Sequence, residues 1–155
     1  NFNIFNDKKE IIGGACSNWV MMDMDTRQAV NLDTLPGLKE KAMHDAGLIE
    51  KPARLGAVGG EPVEKFKVKY SDIDLNKHVN SIRYIQWVTD LFPIDMFQEK
   101  FIQRFDINYL HESVFGDDIE INREEVQPGH FHVEVKANGK TACRARVIWK
   151  ERNQN

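Results

Sequence analysis

Alternating hydrophobic and polar residues dominate the second half of the chain. Residues 64–70 place Phe66, Val68 and Tyr70 on one side and lysines on the other, which is the pattern of a half-buried strand. Further segments of strand character lie at 101–111, 118–126, 130–137 and 141–151. Turn-forming residues separate these segments, and the last break, Asn138-Gly139, is typical of a type I′ hairpin. The pattern predicts a meander of antiparallel strands.

One segment between the first two predicted strands has helical spacing instead. Apolar residues recur over Ser81–Phe92 at intervals of three and four, with Asn80 in place for an N-cap and Pro93 for a stop. Aromatic residues lie near the apolar face, so we expect other structure to cover the helix. One strand, one helix and four strands predict an α+β domain in which a sheet curls around a helix.

The first residues resemble the end of this unit. Residues 2–4, a turn, and then a long strand from Ala15 through Met21 parallel residues 131–133, a turn, and the strand from Ala142. We interpret the similarity as a duplication. It predicts three regions: 1–50 with the last strands of a first, incomplete unit and a connector helix around Leu38–Ala46, a linker at 51–62, and a complete second unit at 63–152.

Composition and charge exclude several classes of protein. The 155 residues are 41% hydrophobic, enough for a packed core, and 21 basic against 24 acidic residues leave a net charge of −3. Without a basic stripe we expect no nucleic-acid partner, and no apolar run approaches the roughly 20 residues of a membrane span. Cys16 and Cys143 match no metal-ligand spacing, and the start at Asn1 carries no secretory pattern, so a reducing cytoplasm is expected.

The densest group of chemically active residues is the segment 72–80, Asp-Ile-Asp-Leu-Asn-Lys-His-Val-Asn, between a strand end and a helix start. Its opening matches a calcium loop, but the sixth position is Lys77 instead of Gly and the twelfth is Arg83 instead of Glu. A single histidine without a neighbouring cysteine does not make a zinc site. We therefore expect no metal and no cofactor. Turn formation and helix capping account for Asn80 but not for the imidazole of His78.

The start of a helix offers free backbone N–H groups that can hold a carbonyl oxygen as it gains charge. Asp74 and His78 could supply an acid or base beside it, and Asn76 could act as a neutral donor. A further carboxylate, Glu112, follows the next predicted strand, although a charged residue there is ordinarily only solvated. These residue types together indicate acyl transfer.

The segment 70–80, followed by Arg83-Tyr84 and Trp87, resembles the motif of the bacterial and plant acyl-ACP thioesterases, which have tandem hotdog folds. The segment 109–113, Tyr-Leu-His-Glu-Ser, is similar to the second motif of that family. The resemblance implies that Asp74, Asn76, His78 and Glu112 are catalytic. Ser113 stands where plant members carry cysteine, which argues against a cysteine nucleophile. The resemblance then implies one complete hotdog unit, in which a sheet wraps around a long central helix. The final hairpin of a preceding hotdog unit would come before it.

The expected function is hydrolysis of fatty acyl thioesters, with acyl carrier protein as the partner, to release free fatty acids in fatty acid biosynthesis. One alternative is an acyl-CoA thioesterase of the 4-hydroxybenzoyl-CoA thioesterase type, which would give Glu112 no role. Another is a non-catalytic hotdog that binds acyl chains. Arg144, Arg146 and Lys150 share a strand face that could dock an acidic carrier or simply be solvated. Unpaired strand edges leave a homodimer open.

Overall fold

The computed structural model describes residues 1–26, 28–41 and 49–152. The chain divides into two compact units, one of residues 1–52 and one beginning at Ala53. Within the described residues no helix combines the length and the apolarity needed to cross a membrane.

The first unit contains an antiparallel hairpin of β1 (Phe2–Phe5) and β2 (Ile11–Ala15). The Asn6 side chain closes the turn by accepting the N–H groups of Lys8 and Glu10, both at 2.9 Å. The expected long strand through Met21 is wrong, because β2 ends at Ala15 and, among the described residues of the first unit, a single bridge from Met22 to Ala29 follows. Of the expected connector helix, a 3₁₀ turn appears at Lys39–Lys41, and residues 42–46 lie outside the described part.

The second unit is built on a five-stranded antiparallel sheet. Its strands are β3 (Glu64–Lys67), β4 (Lys100–Tyr109), β5 (Asp118–Gln127), β6 (His130–Ala137) and β7 (Lys140–Glu151). The order is β3-β5-β6-β7-β4, so the predicted four-strand meander holds only for β5 to β7. The chain between β3 and β4 passes through the helices and reaches the far edge of the sheet, so β4 pairs with β7.

Two helices occupy that connection, α1 (Ser81–Thr89) and α2 (Ile94–Glu99). The predicted cap is confirmed, because Asn80 Oδ1 accepts the N–H of Ile82 at 3.0 Å. The helix is shorter than predicted, and Pro93 precedes a second helix that the pattern did not indicate. On α1, Val88 is fully buried, and the core around it includes Val133 on β6 and Val147 on β7.

Residues 53–63, most of them in the predicted linker, lie against the sheet. Leu55 N–H donates to Asn108 Oδ1 at 2.9 Å, and Asn122 Nδ2 donates to the carbonyl of Gly60 at 2.7 Å. Leu55 and Val58 are buried. The side chains that bind this segment alternate with core residues along their strands, so the segment covers the face of the sheet opposite α1.

That face also carries a network of ion pairs. Arg144 Nε donates to Glu134 Oε1, and Arg146 Nε donates to Asp106 Oδ2, both at 2.8 Å. Burial raises the pKa of Glu134, but the bonds from Arg144 and Thr141 outweigh it and hold the pKa below its usual value. The two arginines suggested as a docking face are thus engaged with carboxylates of the same sheet.

Candidate active site

The loop at 72–80 is a closed structure held by main-chain bonds. Asp74 N–H donates to the carbonyl of His78 at 2.8 Å, and Asn80 N–H donates to the carbonyl of Asp72 at 2.9 Å. Lys77 adopts a positive φ of 66°, which turns the chain at the tip. The short spacing of polar residues in the sequence therefore corresponds to one tight turn that ends at Asn80, the residue that caps α1.

Asp74 fixes the turn with its side chain as well. Its Oδ1 accepts the N–H of Asn76 at 2.8 Å and the N–H of His78 at 3.3 Å. Its carboxylate is thus oriented by two backbone donors. Asn76 is exposed, and its backbone supplies one of the two donors. A cavity of about 510 Å³ lies beside the turn, lined by Tyr70, Ile73, Asp74, Leu75, Asn76 and Asn80.

Glu112, 34 positions after His78 in the sequence, meets it in the structure. Its Oε2 lies 3.5 Å from His78 Nε2, with the histidine side chain 32% and the glutamate side chain 56% exposed. A main-chain bridge between His78 and Val114 brings the two segments together, and Val79 N–H donates to the carbonyl of Ser113 at 2.8 Å. The four predicted residues thus fall into two groups: Asp74 and Asn76 beside the cavity, and His78 in contact with Glu112.

The sequence did not reveal the ion pair between Arg83 and Asp72, which links the loop to α1. Arg83 Nε, on the first turn of α1, donates to Asp72 Oδ1 at 2.8 Å, and Asp72 Oδ2 accepts the N–H of Lys69 at 2.7 Å. Asp72 is 5% exposed, so its buried oxygens need these donors as hydrogen-bond partners. An acid and a basic residue flanking a loop were visible in the sequence, but their pairing depends on the direction in which the helix leaves the loop.

Cys143 contributes no reactive thiol to this arrangement. Cys143 is buried in β7, and burial raises the pKa of its thiol to about 12, so it stays protonated at neutral pH. No cluster of three metal-ligating side chains occurs within the residues that the structure describes. The groups that Asp74, Asn76, His78 and Glu112 bring to the site are carboxylates, an imidazole and an amide, beside backbone donors.

An antiparallel sheet that packs one face on a helix, with polar residues gathered at the start of that helix, is the arrangement of a hotdog domain. Residues 58–151 match the model of the acyl-ACP thioesterase C-terminal domain, and the chain belongs to this family.

Solved structures agree in fold. A crystal structure of an acyl-ACP thioesterase from Bacteroides thetaiotaomicron superposes with a TM-score of 0.87 at 40% identity, covering 96% of this chain and 60% of that one. The 12:0-ACP thioesterase from Umbellularia californica superposes with a TM-score of 0.66 at 21% identity, covering 84% of this chain and 53% of that one.

Among curated proteins, the chloroplastic oleoyl-acyl carrier protein thioesterase of Coriandrum sativum is 29% identical over 125 residues. The match covers 70% of this chain and 32% of that protein. The chain thus spans about a third of the length of this curated relative.

Proposed function

We propose that this chain carries the catalytic domain of an enzyme that hydrolyses fatty acyl thioesters, with acyl carrier protein as the carrier. The observation that carries the proposal is the contact of 3.5 Å between His78 Nε2 and Glu112 Oε2, next to a loop that presents Asp74 and Asn76. Family membership supports the same reaction. The products would be a free fatty acid and the carrier thiol, as expected of a step in fatty acid biosynthesis.

In this mechanism a carboxylate accepts a proton from water while the water oxygen attacks the thioester carbonyl carbon. Asp74 and Glu112 are the candidate bases, and His78 orients Glu112 or carries the proton. Asn76 and backbone N–H groups at the start of α1 stabilise the charge that develops on the carbonyl oxygen. The C–S bond then breaks, and the proton passes to the leaving sulfur. Direct attack by a carboxylate, giving an acyl-enzyme anhydride, is the other route open to these groups.

The contact of Glu112 distinguishes the proposal from its alternatives. An acyl-CoA thioesterase of the 4-hydroxybenzoyl-CoA type would leave Glu112 without a role, and a binding module would not need a carboxylate against an imidazole. Both are alternatives to which the geometry lends no specific support.

The test is release of free thiol from one acyl group presented on carrier protein and on CoA, with the protein used as the full chain. We expect faster release from the carrier, and a loss of about 10² to 10⁴ in rate for H78A and E112Q. Equal or faster release from CoA, with E112Q unimpaired, would favour the CoA alternative. Saturable acyl binding without thiol release above background would favour the binding module.

We place the protein in the cytoplasm, because Cys16 and Cys143 are both free thiols, which agrees with a reducing compartment. We also propose that copies associate, because β3 and β4 end the five-strand order and each leaves a strand edge unpaired in the sheet. Sedimentation of the purified chain tests the association, and a monomer at all concentrations would contradict it.

A further inference from the structure

Two tyrosine hydroxyls fasten the short segment that carries Glu112. Tyr109, the last residue of β4, donates its hydroxyl to the carbonyl of Ser81 at 3.0 Å. Tyr84, on α1, donates its hydroxyl to Ser113 Oγ at 2.8 Å. Glu112 lies between the two fastened positions, so both ends of its segment are bonded to the helix whose start forms the candidate site.

The bond from Tyr84 is buried, whereas the bond from Tyr109 lies at the surface, where Tyr109 is 48% exposed. Tyr84 is 3% and Ser113 is 1% exposed, and the rings of Tyr84 and Tyr109 meet edge to face with centroids 5.9 Å apart. Ser113 is bonded through its main chain too, because its carbonyl accepts the N–H of Val79. Ser113 therefore links α1 to the residue that follows His78.

We propose, on the basis of the thioester hydrolysis proposed above, that Tyr84, Tyr109 and Ser113 are positioning residues that hold Glu112 against His78. Glu112 is more than half exposed, and its side chain alone has several rotamers available in solvent. Fixing the backbone on both sides reduces the arrangements that the carboxylate can adopt. Ser113 takes no part as a nucleophile, because its Oγ is buried and already bonded to a phenol.

The test removes the hydroxyls one at a time by Y84F and Y109F and measures turnover and KM on an acylated carrier protein. We expect each single variant to lower kcat about tenfold and the double variant about 10²-fold. A displacement of the Glu112 carboxylate by about 1 Å would account for the 10²-fold loss. KM should change less than about twofold, because the acyl chain and carrier contacts are unaltered. Y84F and S113A break the same bond, so their combination should cost no more than the worse single variant.

T141V is the matched control. It also removes one hydroxyl bond, from Thr141 Oγ1 to Glu134 Oε1 at 3.0 Å, on the face of the sheet opposite α1. Its kcat should equal that of the wild type even if its stability falls. A general effect of lost stability would lower kcat in T141V as much as in Y84F.

The outcomes separate this inference from the proposed function. Wild-type turnover together with an unimpaired Y84F/Y109F double variant would overturn the positioning role and leave hydrolysis standing. A loss of more than about 10³-fold in S113A, beyond what one displacement explains, would instead indicate a nucleophile. If the wild type shows no hydrolysis, the proposed function is refuted. Hydrogen exchange of the Val79 amide then tests whether the Tyr84 hydroxyl holds the segment in place. Faster exchange in Y84F but not in T141V supports the fastening, and unchanged exchange in Y84F refutes it.

Discussion

Replacing Asp74 by asparagine separates the structural role of this residue from its chemical one. In the structure Asp74 Oδ1 accepts the N–H groups of Asn76 and His78 at 2.8 and 3.3 Å. An asparagine side chain retains an acceptor oxygen at this position, so the turn should persist. The substitution removes the negative charge and the ability to accept a proton. Alanine removes the acceptor as well.

The two variants should therefore differ in stability but agree in activity. With about 1 kcal/mol for each net hydrogen bond, and less for the longer one, D74A should lose about 1 to 2 kcal/mol of unfolding free energy. D74N should lose less than about 0.5 kcal/mol, the range of an ordinary surface substitution. If Asp74 is the base, both should lose about 10² to 10⁴ in kcat, which corresponds to about 3 to 5 kcal/mol of activation free energy.

The assays are thiol release under saturating acylated carrier and urea unfolding followed by circular dichroism. D23N is a matched control, because Asp23 Oδ1 accepts the N–H groups of Asp25 and Thr26 at 3.1 and 2.7 Å in a similar turn of the first unit. D23N should keep full turnover. A D74N variant within about threefold of the wild type would refute Asp74 as the base, since such a base accounts for at least 10²-fold.

Three further predictions concern stability and reactivity. N80A should lose about 1 kcal/mol of unfolding free energy and N80D almost none, because only alanine removes the cap; equal urea midpoints would refute the cap. The lowered pKa of Glu134 means that it stabilises the fold above its unfolded value near 4.5 and loses this effect as pH falls through the folded pKa. E134Q should therefore reduce the loss of unfolding free energy as the pH falls, and an unchanged pH dependence would contradict the ion pair. At mildly alkaline pH iodoacetamide should alkylate Cys16 and spare Cys143 until urea is added, as mass spectrometry of peptides would record; early modification of Cys143 would contradict its burial.

The sequence was most informative where local geometry decides the structure. At Asn138-Gly139 both residues have positive φ, 48° and 77°, as a type I′ turn requires, and the dipeptide predicted that turn. Alternation along β7 placed Cys143 in the core and Arg144 on the opposite face, because successive side chains of a strand point to opposite sides. The bounds of β5 to β7 follow from the same two signals.

Long-range arrangement was beyond these signals. The place of β4 beside β7 depends on where the helical connection returns to the sheet, which no local pattern records. Residues 53–62 have no periodicity, yet polar side chains on the sheet bind their backbone, as Asn108 binds Leu55. That Glu112 and His78 share one site was implied by the family resemblance. Their contact was not visible in local patterns, because only the folded sheet brings these positions together.

Some bonds of the loop are made by the main chain and others by side chains, and this difference determines what each substitution should change. Main-chain bonds from Asp74 to His78 and from Val79 to Ser113 close the loop and attach it to the Glu112 segment. Neither bond involves the side chain of His78 or of Glu112. Substitutions at His78 or Glu112 should thus alter chemistry with little effect on folding, because both side chains are partly exposed and neither belongs to the core. Substitution of Asp72 is different, since it leaves Arg83 without its buried partner and should affect stability and activity together.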